Sequence, residues 1–585
     1  MLPPLQGIVD CRLLNSLPAL RTAAAVCGGL LLSAAFSPLE WAFAAFIAMA
    51  PLLALPFPRG NWQRLSTGFL FGYTHFATTL HWLNAVGFGA GWILAAYCAL
   101  FPMAWYWLMA AAAWAFKPAD EHGGGLTPDP APWLPDAGFI TLPHRWQQML
   151  FMLFAATAWC ALEWLRSWLF TGFPWNIIAT SQAFQPYTRQ ILSFSGPYGL
   201  GFLIVLANAA IGCGLAGWRR PHLMPPATAA AVAAAFTLGF CLAPAPLSEP
   251  AARPFLNVAA IQGDLPESRQ WNDDIFSRSW QRYATLTMQA LESRNASEFP
   301  ADLVVWPEGA LPCAITYEPY FRNLRQLLGQ MRGTPLLTGA LDVRPSAAGS
   351  LSGETQYEVF NSVFLLSGGD MQLSRWAAGQ RRNYYDKVHL VPFGEYVPFS
   401  RYFPWLPGIV GMGRDMTAGQ YFTIFQCSGR YAGEARFGTA ICFEDVFPDI
   451  ARQFALKGAN FLMTLTNDCW YPDSSEARQH LAHAVMRAVE NRMYLLRSGN
   501  NSDTCLIRPD GAVEAPVRNA QGGQYGAGFG NYRIPVAAPA PTFHARHGDW
   551  FARLCALFTA AALCALAWRG YRHKEKMLAL TTTAE

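Results

Sequence analysis

The stretch FGTAICFEDVFPDIARQF, residues 437–454, joins an apolar run to a segment with helical spacing. The run before Cys442 has the length and apolar character of a buried strand, and Gly458 is a suitable stop for the helix that follows. Cys442 therefore lies at a strand-to-helix junction. A thiol at such a place is a candidate nucleophile, although an isolated cysteine is more often a small buried hydrophobic residue.

The same alternation of strands and helices extends over residues 255–535. It predicts an α/β layered domain, in which active residues lie at the ends of strands. The predicted strands are 256–264, 301–310, 334–343, 360–369, 434–442 and 460–468, and the predicted helices are 278–292, 449–458 and 475–492.

The composition of the 585 residues separates this region from the rest of the chain. Hydrophobic residues make up 52% and charged residues 14%, which is typical of a protein partly embedded in a membrane. The net charge of +4 is small and no basic tract follows one face, so the sequence does not predict nucleic-acid binding. There is no CxxC and no paired Cys/His spacing of the zinc type, and we expect neither a metal nor a cofactor.

Long apolar stretches outside the α/β region predict a polytopic helical membrane domain of about eight spans. Seven precede the α/β region and one follows it. The predicted spans lie near 18–37, 41–57, 66–86, 90–115, 146–165, 193–217, 225–243 and 550–568.

The positive charges between these spans predict their orientation. Lysine and arginine concentrate in cytoplasmic loops, and outward-facing loops here carry only Arg166 and Arg189. Both termini are therefore predicted to be cytoplasmic, and the α/β region is predicted to face the periplasm of a bacterium. The charges on the inner side are Arg12, Arg21, Arg59, Arg64, Lys117, Arg145, Arg219, Arg220, Arg569, Arg572, Lys574 and Lys576.

Three polar side chains follow predicted strands. Glu308 lies in VVWPEGALP, Lys387 in YYDKVHLVPFGEYVPF, and Cys442 ends the third strand. A carboxylate can take the proton of a thiol, and a lysine can stabilise the oxyanion of an acyl-transfer intermediate. Taken singly, a glutamate after a strand is usually a solvated loop residue and a loop lysine is usually on the surface.

These three blocks, with GTAICFEDVFPD as the third, resemble the catalytic blocks of the nitrilase superfamily, an αββα sandwich with a Glu-Lys-Cys triad. The membrane spans before and after the α/β region resemble the apolipoprotein N-acyltransferases, a membrane-embedded branch of that superfamily. The blocks EWLRSWLFTGFPWN and IQGDLPESRQW are also similar to that family's. The resemblance covers nearly the whole chain. It implies that Glu308 is the general base, Lys387 stabilises the oxyanion and Cys442 is the nucleophile.

The resemblance also implies roles for residues around the triad. Glu395 matches a second glutamate that assists the triad, Glu444 matches another functional acid, and Trp271 matches a tryptophan near the substrate entrance. Phe443 departs from the tyrosine that the family often has after the nucleophile, so we expect it to serve packing or backbone geometry. Asn361, inside an apolar strand, either lines the active site or is a buried amide with satisfied hydrogen bonds.

The segment VPFSRYFPWLPGIVGMG, residues 397–413, is rich in aromatic residues, proline and glycine. We expect a mobile arm that enters lipid and contacts substrate through Phe399, Tyr402, Phe403 and Trp405. The alternative is an ordinary apolar loop packed on the domain. A second feature, the HxxH pair of His480 and His483, could bind metal but has no evident third ligand, so packing or surface roles are favoured.

The family resemblance implies a function for three predicted regions: a membrane domain over 1–245, a periplasmic catalytic domain over 246–545, and a final helix with a cytoplasmic tail over 546–585. The expected reaction moves a fatty acyl chain from a phospholipid, expected to be phosphatidylethanolamine, through a Cys442 thioester to the α-amine of a lipoprotein's S-diacylglyceryl cysteine. The expected partners are thus that phospholipid, diacylglyceryl apolipoproteins and the bilayer of the inner membrane. Two alternatives are a membrane-anchored amidase or nitrilase-like hydrolase, and a transporter or scaffold whose α/β domain only binds.

Overall fold

The computed structural model describes most of the chain. The residues described are 11–87, 89–115, 144–216, 238–239, 241, 254–266, 273–293, 300–346, 357–368, 383–405, 408, 415–519, 522–523, 525–536 and 540–582. These residues belong to two compact units, the first within 1–182, 197–238 and 549–585, and the second within 183–196 and 239–548.

The first unit is helical in its described part. Its helices include α1 (Cys11–Ala34), α2 (Ala50–Ala54), α3 (Asn61–Thr79), α4 (Ala90–Ala115), α5 (Arg145–Arg166), most of α6 (Leu192–Ala216) and a last helix, Trp550–Thr582. Helices α1 and α3 pack together, α3 packs on α4, and the last helix packs on α5. Several of these helices are long and apolar, as membrane spans are.

Five helices among the described residues are long and apolar enough to cross a membrane: Leu17–Ala34, Ala90–Ala115, Trp146–Arg166, Thr188–Ala216 and Trp550–Arg569. They overlap five of the eight predicted spans. The stretch 41–57 instead contains the shorter apolar segment Ala42–Ala54, and 66–86 overlaps α3, which is not among the five. Nearly all of the span predicted at 225–243 lies outside the described residues, so the number eight stays a prediction.

The second unit contains two β-sheets in its described residues, which confirms the predicted α/β domain. The first sheet has the order β13–β1–β2–β4–β5–β6, with β3 also paired to β4. Strands β1, β2 and β4 are parallel to one another, whereas β13, β5 and β6 are antiparallel to their neighbours. The strands are β1 (Phe255–Gln262), β2 (Leu303–Val305), β3 (Leu311–Ala314), β4 (Leu336–Pro345), β5 (Tyr357–Leu366), β6 (Tyr384–Asp386) and β13 (Gly528–Pro535).

The second sheet has the order β12–β11–β10–β9–β8–β7. Its centre is parallel, because β9 pairs in parallel with both β8 and β10, and its edge strands are antiparallel. The strands are β7 (Phe425–Gly429), β8 (Gly433–Ile441), β9 (Phe461–Thr466), β10 (Leu495–Gly499), β11 (Cys505–Ile507) and β12 (Val513–Glu514).

The two sheets face each other between helices, in an α–β–β–α arrangement. Strand β1 contacts β7 and β10, and β5 contacts β8. On the outer side of the first sheet lie α7 (Asp273–Glu292) and α8 (Glu318–Gln330), whose apolar residues share a buried core with that sheet. The second sheet packs against α9 (Pro448–Leu456) and α10 (Glu476–Asn491), and α9 and α10 both contact the short helix α11 (Phe543–His547).

Local features of the sequence explain the strand before Cys442 and the helix after it. The last residues of β8, from 437 to 441, are all buried, as expected for a strand inside a parallel sheet. Helix α9 begins with Pro448, which is pre-organised for the first helical position, and Asp449 complements the positive end of the helix dipole. Gly458 follows the helix with φ +84°, a conformation that glycine adopts without steric cost.

The turn that carries Glu308 is seated against a glycine of β4. A Cβ atom on Gly339 would lie 2.8 Å from both the Cα of Glu308 and the carbonyl oxygen of Pro307. Both are backbone atoms, which cannot move aside as a flexible side chain can. The preceding Trp306 is buried and donates a hydrogen bond from Nε1 to Thr287 Oγ1 of α7 at 2.8 Å. The position of Glu308 therefore depends on a close backbone approach as well as on core packing.

We predict that Gly339→Ala destabilises the protein by ~1–3 kcal/mol, the usual range for overpacking, and lowers its apparent melting temperature. The matched control is Gly329→Ala on α8, where a Cβ meets nothing within 4 Å and alanine favours the helix. Thermal unfolding of the full-length protein in detergent measures both. Equal melting temperatures for the two variants would contradict the close approach.

Candidate active site

Three strand ends supply the polar side chains of the site. Glu308 follows β2, Lys387 follows β6 and Cys442 follows β8. Glu308 and Lys387 therefore come from the first sheet, and Cys442 comes from the second. The two contributions meet where the Cys442 thiol lies close enough to the Glu308 carboxyl group for each to shift the pKa of the other. The structure thus brings together the three residues that the sequence predicted to act as a triad.

Lys387 occupies the centre of a buried charge cluster. Its Nζ lies 2.9 Å from Oε1 of Glu395 and 3.5 Å from Oε1 of Glu308, and its side chain is 1% exposed. Burial alone would lower the pKa of Lys387, but the carboxylates of Glu395 and Glu308 outweigh burial and raise it. Lys387 therefore stays protonated and positively charged close to Cys442. It can stabilise negative charge that develops on a substrate oxygen.

Asn361 connects the two carboxylates of this cluster. Its Nδ2 donates to Oε1 of Glu308 at 2.8 Å and to Oε1 of Glu395 at 2.7 Å. The backbone N–H of Lys387 donates to the backbone carbonyl oxygen of Asn361 at 2.9 Å. Oε2 of Glu395 accepts a hydrogen bond from the Val391 N–H at 2.8 Å. Of the two alternatives left open by the sequence, the geometry favours Asn361 as part of the site.

Glu308 has the surroundings of a general base. Besides the contacts of Oε1, its Oε2 accepts a hydrogen bond from the backbone N–H of Asn467 at 3.1 Å. Burial raises the pKa of Glu308, and the charge of Lys387 opposes that rise. A carboxylate with a raised pKa is a stronger proton acceptor, which suits removal of a proton from the Cys442 thiol.

Cys442 has an unusual backbone and a neutral thiol. Its φ of +51° lies in the left-handed region, which non-glycine residues rarely occupy except where the surroundings hold them there. Burial of the sulfur and the charge of Glu308 raise the pKa of the Cys442 thiol, while Lys387 opposes them. Because the thiol is protonated at neutral pH, its attack on a substrate needs a base to take the proton.

Glu444 holds the turn after the nucleophile against the segment that carries Lys387. Its Oε2 accepts from the Ile441 N–H at 2.8 Å, and its Oε1 accepts from the N–H groups of Val388 at 2.7 Å and His389 at 3.1 Å. The Tyr385 hydroxyl donates to the same carboxylate at 2.9 Å. Burial raises the pKa of Glu444 to about 7, against the effect of these hydrogen bonds. Glu444 therefore links the end of β8, in the second sheet, to the segment that follows β6 of the first sheet.

Phe443 lies among aromatic rings rather than beside the charges. Its ring centroid is 5.1 Å from that of Phe447, in an edge-to-face arrangement, and 6.0 Å from that of His389. Edge-to-face pairs of this kind stabilise packed cores. The geometry agrees with the packing role that we expect for the phenylalanine.

The aromatic residues predicted to contact substrate lie apart from the buried cluster, on the surface. Phe399 is 53% exposed, Tyr402 75%, Phe403 48% and Trp405 61%, although large hydrophobic side chains are usually covered. The segment is joined to the triad through Glu395, whose carbonyl accepts from the Met416 N–H at 2.8 Å. Trp271 lies outside the described residues.

Sequence reasoning missed a buried polar network behind the nucleophile. It assigned His480 to packing or the surface, yet Nε2 of His480 lies 3.2 Å from the Cys442 carbonyl oxygen and 2.9 Å from Oδ1 of Asp445. Its Nδ1 lies 2.9 Å from Oδ1 of Asp468. Asp445 three residues after Cys442, and Asp468 two residues after the end of β9, were the available signals. Acidic residues at adjacent strand ends are candidates for one shared site.

Family comparisons match both units of the chain. Residues 28–210 match the model of the apolipoprotein N-acyltransferase N-terminal domain, and residues 257–521 match the carbon-nitrogen hydrolase model. Among curated proteins, the apolipoprotein N-acyltransferase of Geobacter metallireducens is 30% identical over 563 residues, covering 93% of this chain and 95% of the relative. That of Methylococcus capsulatus is 29% identical over 551 residues, covering 91% and 94%.

Solved structures similar to the chain come from the nitrilase superfamily. They include Nit3 from Saccharomyces cerevisiae, a member of branch 10, with 16% identity, a TM-score of 0.32 and coverage of 48% of this chain and 90% of Nit3. An amidase from Nesterenkonia sp. has 16% identity and a TM-score of 0.31, with coverage of 49% and 92%.

We predict that the reactivity of Cys442 depends on the ionisation of Glu308. Since burial raises the pKa of Glu308 above its ordinary value of 4.5, and only the deprotonated form accepts a proton, alkylation of Cys442 by iodoacetamide falls as the pH drops through that raised pKa. In Glu308→Gln, alkylation at neutral pH is slower and increases only at alkaline pH, where the thiol ionises without help.

The control for this experiment is Glu434→Gln, which changes an exposed glutamate on β8. Its alkylation should follow the wild-type pH profile. Peptide mass spectrometry of the full-length protein gives the extent of alkylation at Cys442. A Glu308→Gln profile that coincides with the wild type would refute the assignment of Glu308 as the base.

Proposed function

Since the chain belongs to the apolipoprotein N-acyltransferase family, we propose that it acylates lipoproteins through a thioester on Cys442. The acyl donor is a membrane phospholipid, phosphatidylethanolamine. The acceptor is the α-amine of the S-diacylglyceryl cysteine at the N-terminus of a lipoprotein. The observation that carries the proposal is the Glu308–Lys387–Glu395 cluster, which supplies a base and a cation to Cys442.

In the first half-reaction, Glu308 takes the proton of the Cys442 thiol while the sulfur attacks the ester carbonyl carbon of the phospholipid's sn-1 chain. The C–S bond forms and negative charge moves onto the carbonyl oxygen, where the Lys387 ammonium group stabilises it. The ester C–O bond then breaks. The departing glycerol oxygen takes the proton from Glu308, and a lysophospholipid leaves.

In the second half-reaction, the neutral α-amine attacks the thioester carbon. Glu308 accepts a proton from the amine, Lys387 again stabilises the oxyanion, and the C–S bond breaks as the proton passes to the sulfur. The amide product leaves and the Cys442 thiol is restored. An apolar site favours this outcome over hydrolysis because it limits the access of water to the thioester.

The proposed location is the bacterial inner membrane. Five apolar helices support membrane insertion, and the distribution of lysine and arginine supports cytoplasmic termini with a catalytic domain, over 246–545, that faces the periplasm. In this orientation the catalytic domain meets lipoproteins after their export. The regions 1–245 and 546–585 anchor it, and its two substrates are both lipid-bearing.

The exposed aromatic segment is proposed as the arm through which phospholipid reaches the site. Phe399, Tyr402, Phe403 and Trp405 expose apolar surface that water disfavours and lipid accepts. The base of the segment is tied to the cluster by Glu395, and the two ends of the segment are joined by Asp415, which accepts from the Val397 N–H at 3.0 Å.

We predict that the full-length protein, incubated with phosphatidylethanolamine vesicles and no acceptor, gains a fatty-acyl mass on the peptide that contains Cys442. Cys442→Ala gains none, because the carrier sulfur is absent. Cys505→Ala, which changes a buried cysteine on β11, is the control and acylates normally. Acylation that persists in Cys442→Ala would refute the thioester.

The acceptor is tested by the release of lysophospholipid. A diacylated lipopeptide with a free α-amine should accelerate release and appear as the triacylated product, whereas its N-acetylated form should do neither. Release at the same rate with both peptides and without peptide would instead support a hydrolase, the alternative that the carbon-nitrogen hydrolase match keeps open.

We predict that replacing Tyr402, Phe403 and Trp405 by serine slows acylation of Cys442 from vesicles by at least about tenfold. The reason is that burial of each apolar side chain is worth about 1.5–3 kcal/mol. Alkylation of Cys442 by iodoacetamide, which needs no lipid, stays at the wild-type rate. The measurement is peptide mass spectrometry after both treatments.

The control for the arm replaces three exposed apolar residues elsewhere on the catalytic domain, Tyr357, Tyr431 and Leu456, by serine. This variant should acylate Cys442 from vesicles at the wild-type rate. An arm variant that acylates as fast as this control would show that the segment is an ordinary surface loop.

A further inference from the structure

His480 lies on α10, a helix in which every residue except Arg478 is buried. Both of its ring nitrogens face oxygen acceptors. Nε2 lies 2.9 Å from Oδ1 of Asp445 and 3.2 Å from the carbonyl oxygen of Cys442, and Nδ1 lies 2.9 Å from Oδ1 of Asp468 and 3.5 Å from Oε1 of Glu476. A neutral imidazole would turn one lone pair toward a carboxylate, so this geometry assigns a proton to each nitrogen.

The surrounding charges balance an imidazolium ion. Arg497 is buried and pairs with Asp468 and, at 3.7 Å, with Asp445, so two cations face two aspartates. Burial raises the pKa of Glu476 well above its ordinary value, which favours the uncharged form of its carboxyl group. The Asp445 and Asp468 carboxylates outweigh burial and raise the pKa of His480 to about 10. Buried charges that are paired in this way form a rigid group.

This group reaches Cys442 at two points. His480 contacts the Cys442 carbonyl oxygen directly. It also contacts Asp468, whose Oδ1 accepts from the Thr466 hydroxyl at 2.8 Å, and that hydroxyl group lies beside the Cys442 thiol. His480 therefore contacts the Cys442 carbonyl oxygen directly and, through Asp468, orients the hydroxyl group beside the sulfur.

The turn that begins at Cys442 has a backbone conformation that needs support from surrounding groups. Cys442 has a φ of +51°, a conformation that non-glycine residues keep only when their surroundings impose it. A second side chain of α10, Arg487, donates to the carbonyl oxygens of Asp445 at 3.3 Å and Val446 at 2.8 Å. Two side chains of α10 therefore contact the turn, His480 at its start and Arg487 at its end.

A metal site is the other interpretation of the same residues. Ligand atoms of Asp468, Glu476 and His480 lie within 4.8 Å of one another. A metal ligand must offer a lone pair, however, and both nitrogens of His480 already face acceptors, while Arg497 pairs with Asp468. The contacts favour an ion-pair network.

We propose that His480 is a positioning residue, which fixes Cys442 directly through its carbonyl oxygen and, by way of Asp468, holds the Thr466 hydroxyl group beside the sulfur. The inference rests on the proposed function, in which Cys442 carries the acyl group. Without His480 the turn relaxes, the sulfur leaves its place beside Glu308, and both acylation and alkylation of Cys442 slow down.

The test uses the full-length protein in phosphatidylethanolamine vesicles. In His480→Ala, the rate of Cys442 acylation at saturating lipid falls by about 10²-fold, as expected for a nucleophile displaced from its productive geometry, and the KM for phospholipid changes little. Added imidazole restores part of the rate. The matched control is His483→Ala, one turn further along α10 and equally buried, which keeps the wild-type rate and does not respond to imidazole.

A second variant covers the case in which His480→Ala does not fold. Thr466→Val keeps the shape of the side chain and removes only the hydroxyl group that donates to Asp468 beside the sulfur. It should slow alkylation of Cys442 by iodoacetamide by about tenfold, in a protein that still unfolds cooperatively and whose melting temperature is only slightly lowered by the lost hydrogen bond.

The outcomes separate the two proposals. If the wild type forms no acyl-Cys442, the proposed function fails, and the alkylation rates still decide whether His480 and Thr466 position the thiol. If the wild type is acylated and folded His480→Ala and Thr466→Val react as fast as it does, the positioning role is refuted. A loss of rate in His480→Ala that matches the loss in His483→Ala and ignores imidazole also refutes it.

Discussion

The burial of the Lys387 ammonium group between two carboxylates is the interaction on which the active site depends. A buried cation is costly unless oppositely charged groups surround it, and Glu395 at 2.9 Å and Glu308 at 3.5 Å meet that need. Asn361 donates a hydrogen bond to each carboxylate and so holds the two at a fixed separation. The cluster thus fixes the distance between the base and the cation, and the nucleophile then needs only to be brought to it from the other sheet.

Two sets of hydrogen bonds position Cys442 beside this cluster. Glu444 ties the turn after the nucleophile to the backbone at Val388 and His389, close to Lys387. On the other side, His480 and Arg487 of α10 hold the carbonyl groups of the same turn. Since the thiol is neutral at rest, its reactivity depends on placement beside Glu308 more than on its own ionisation.

Much of this site was predictable because strand ends are visible in a sequence. The apolar runs before Glu308 and Cys442 locate both residues at sheet edges, and the flanking blocks resemble a known family. The network around His480 was hard to predict although Asp445 and Asp468 follow strand ends, because its members come from three places, the turn at 445, the end of β9 at 468 and β10 at 497. The spans were only partly predictable, since 41–57 contains only a shorter apolar helical segment in the structure.

The most direct test of the account removes the charge of Lys387 while keeping the length of its side chain. In Lys387→Met, the rate at which phosphatidylethanolamine vesicles acylate Cys442 should fall by about 10²–10³-fold, the usual cost of losing an oxyanion-stabilising group. The rate is measured by intact-protein mass spectrometry on samples quenched over time. Formation of acyl-Cys442 at the wild-type rate in a folded Lys387→Met protein would contradict the account.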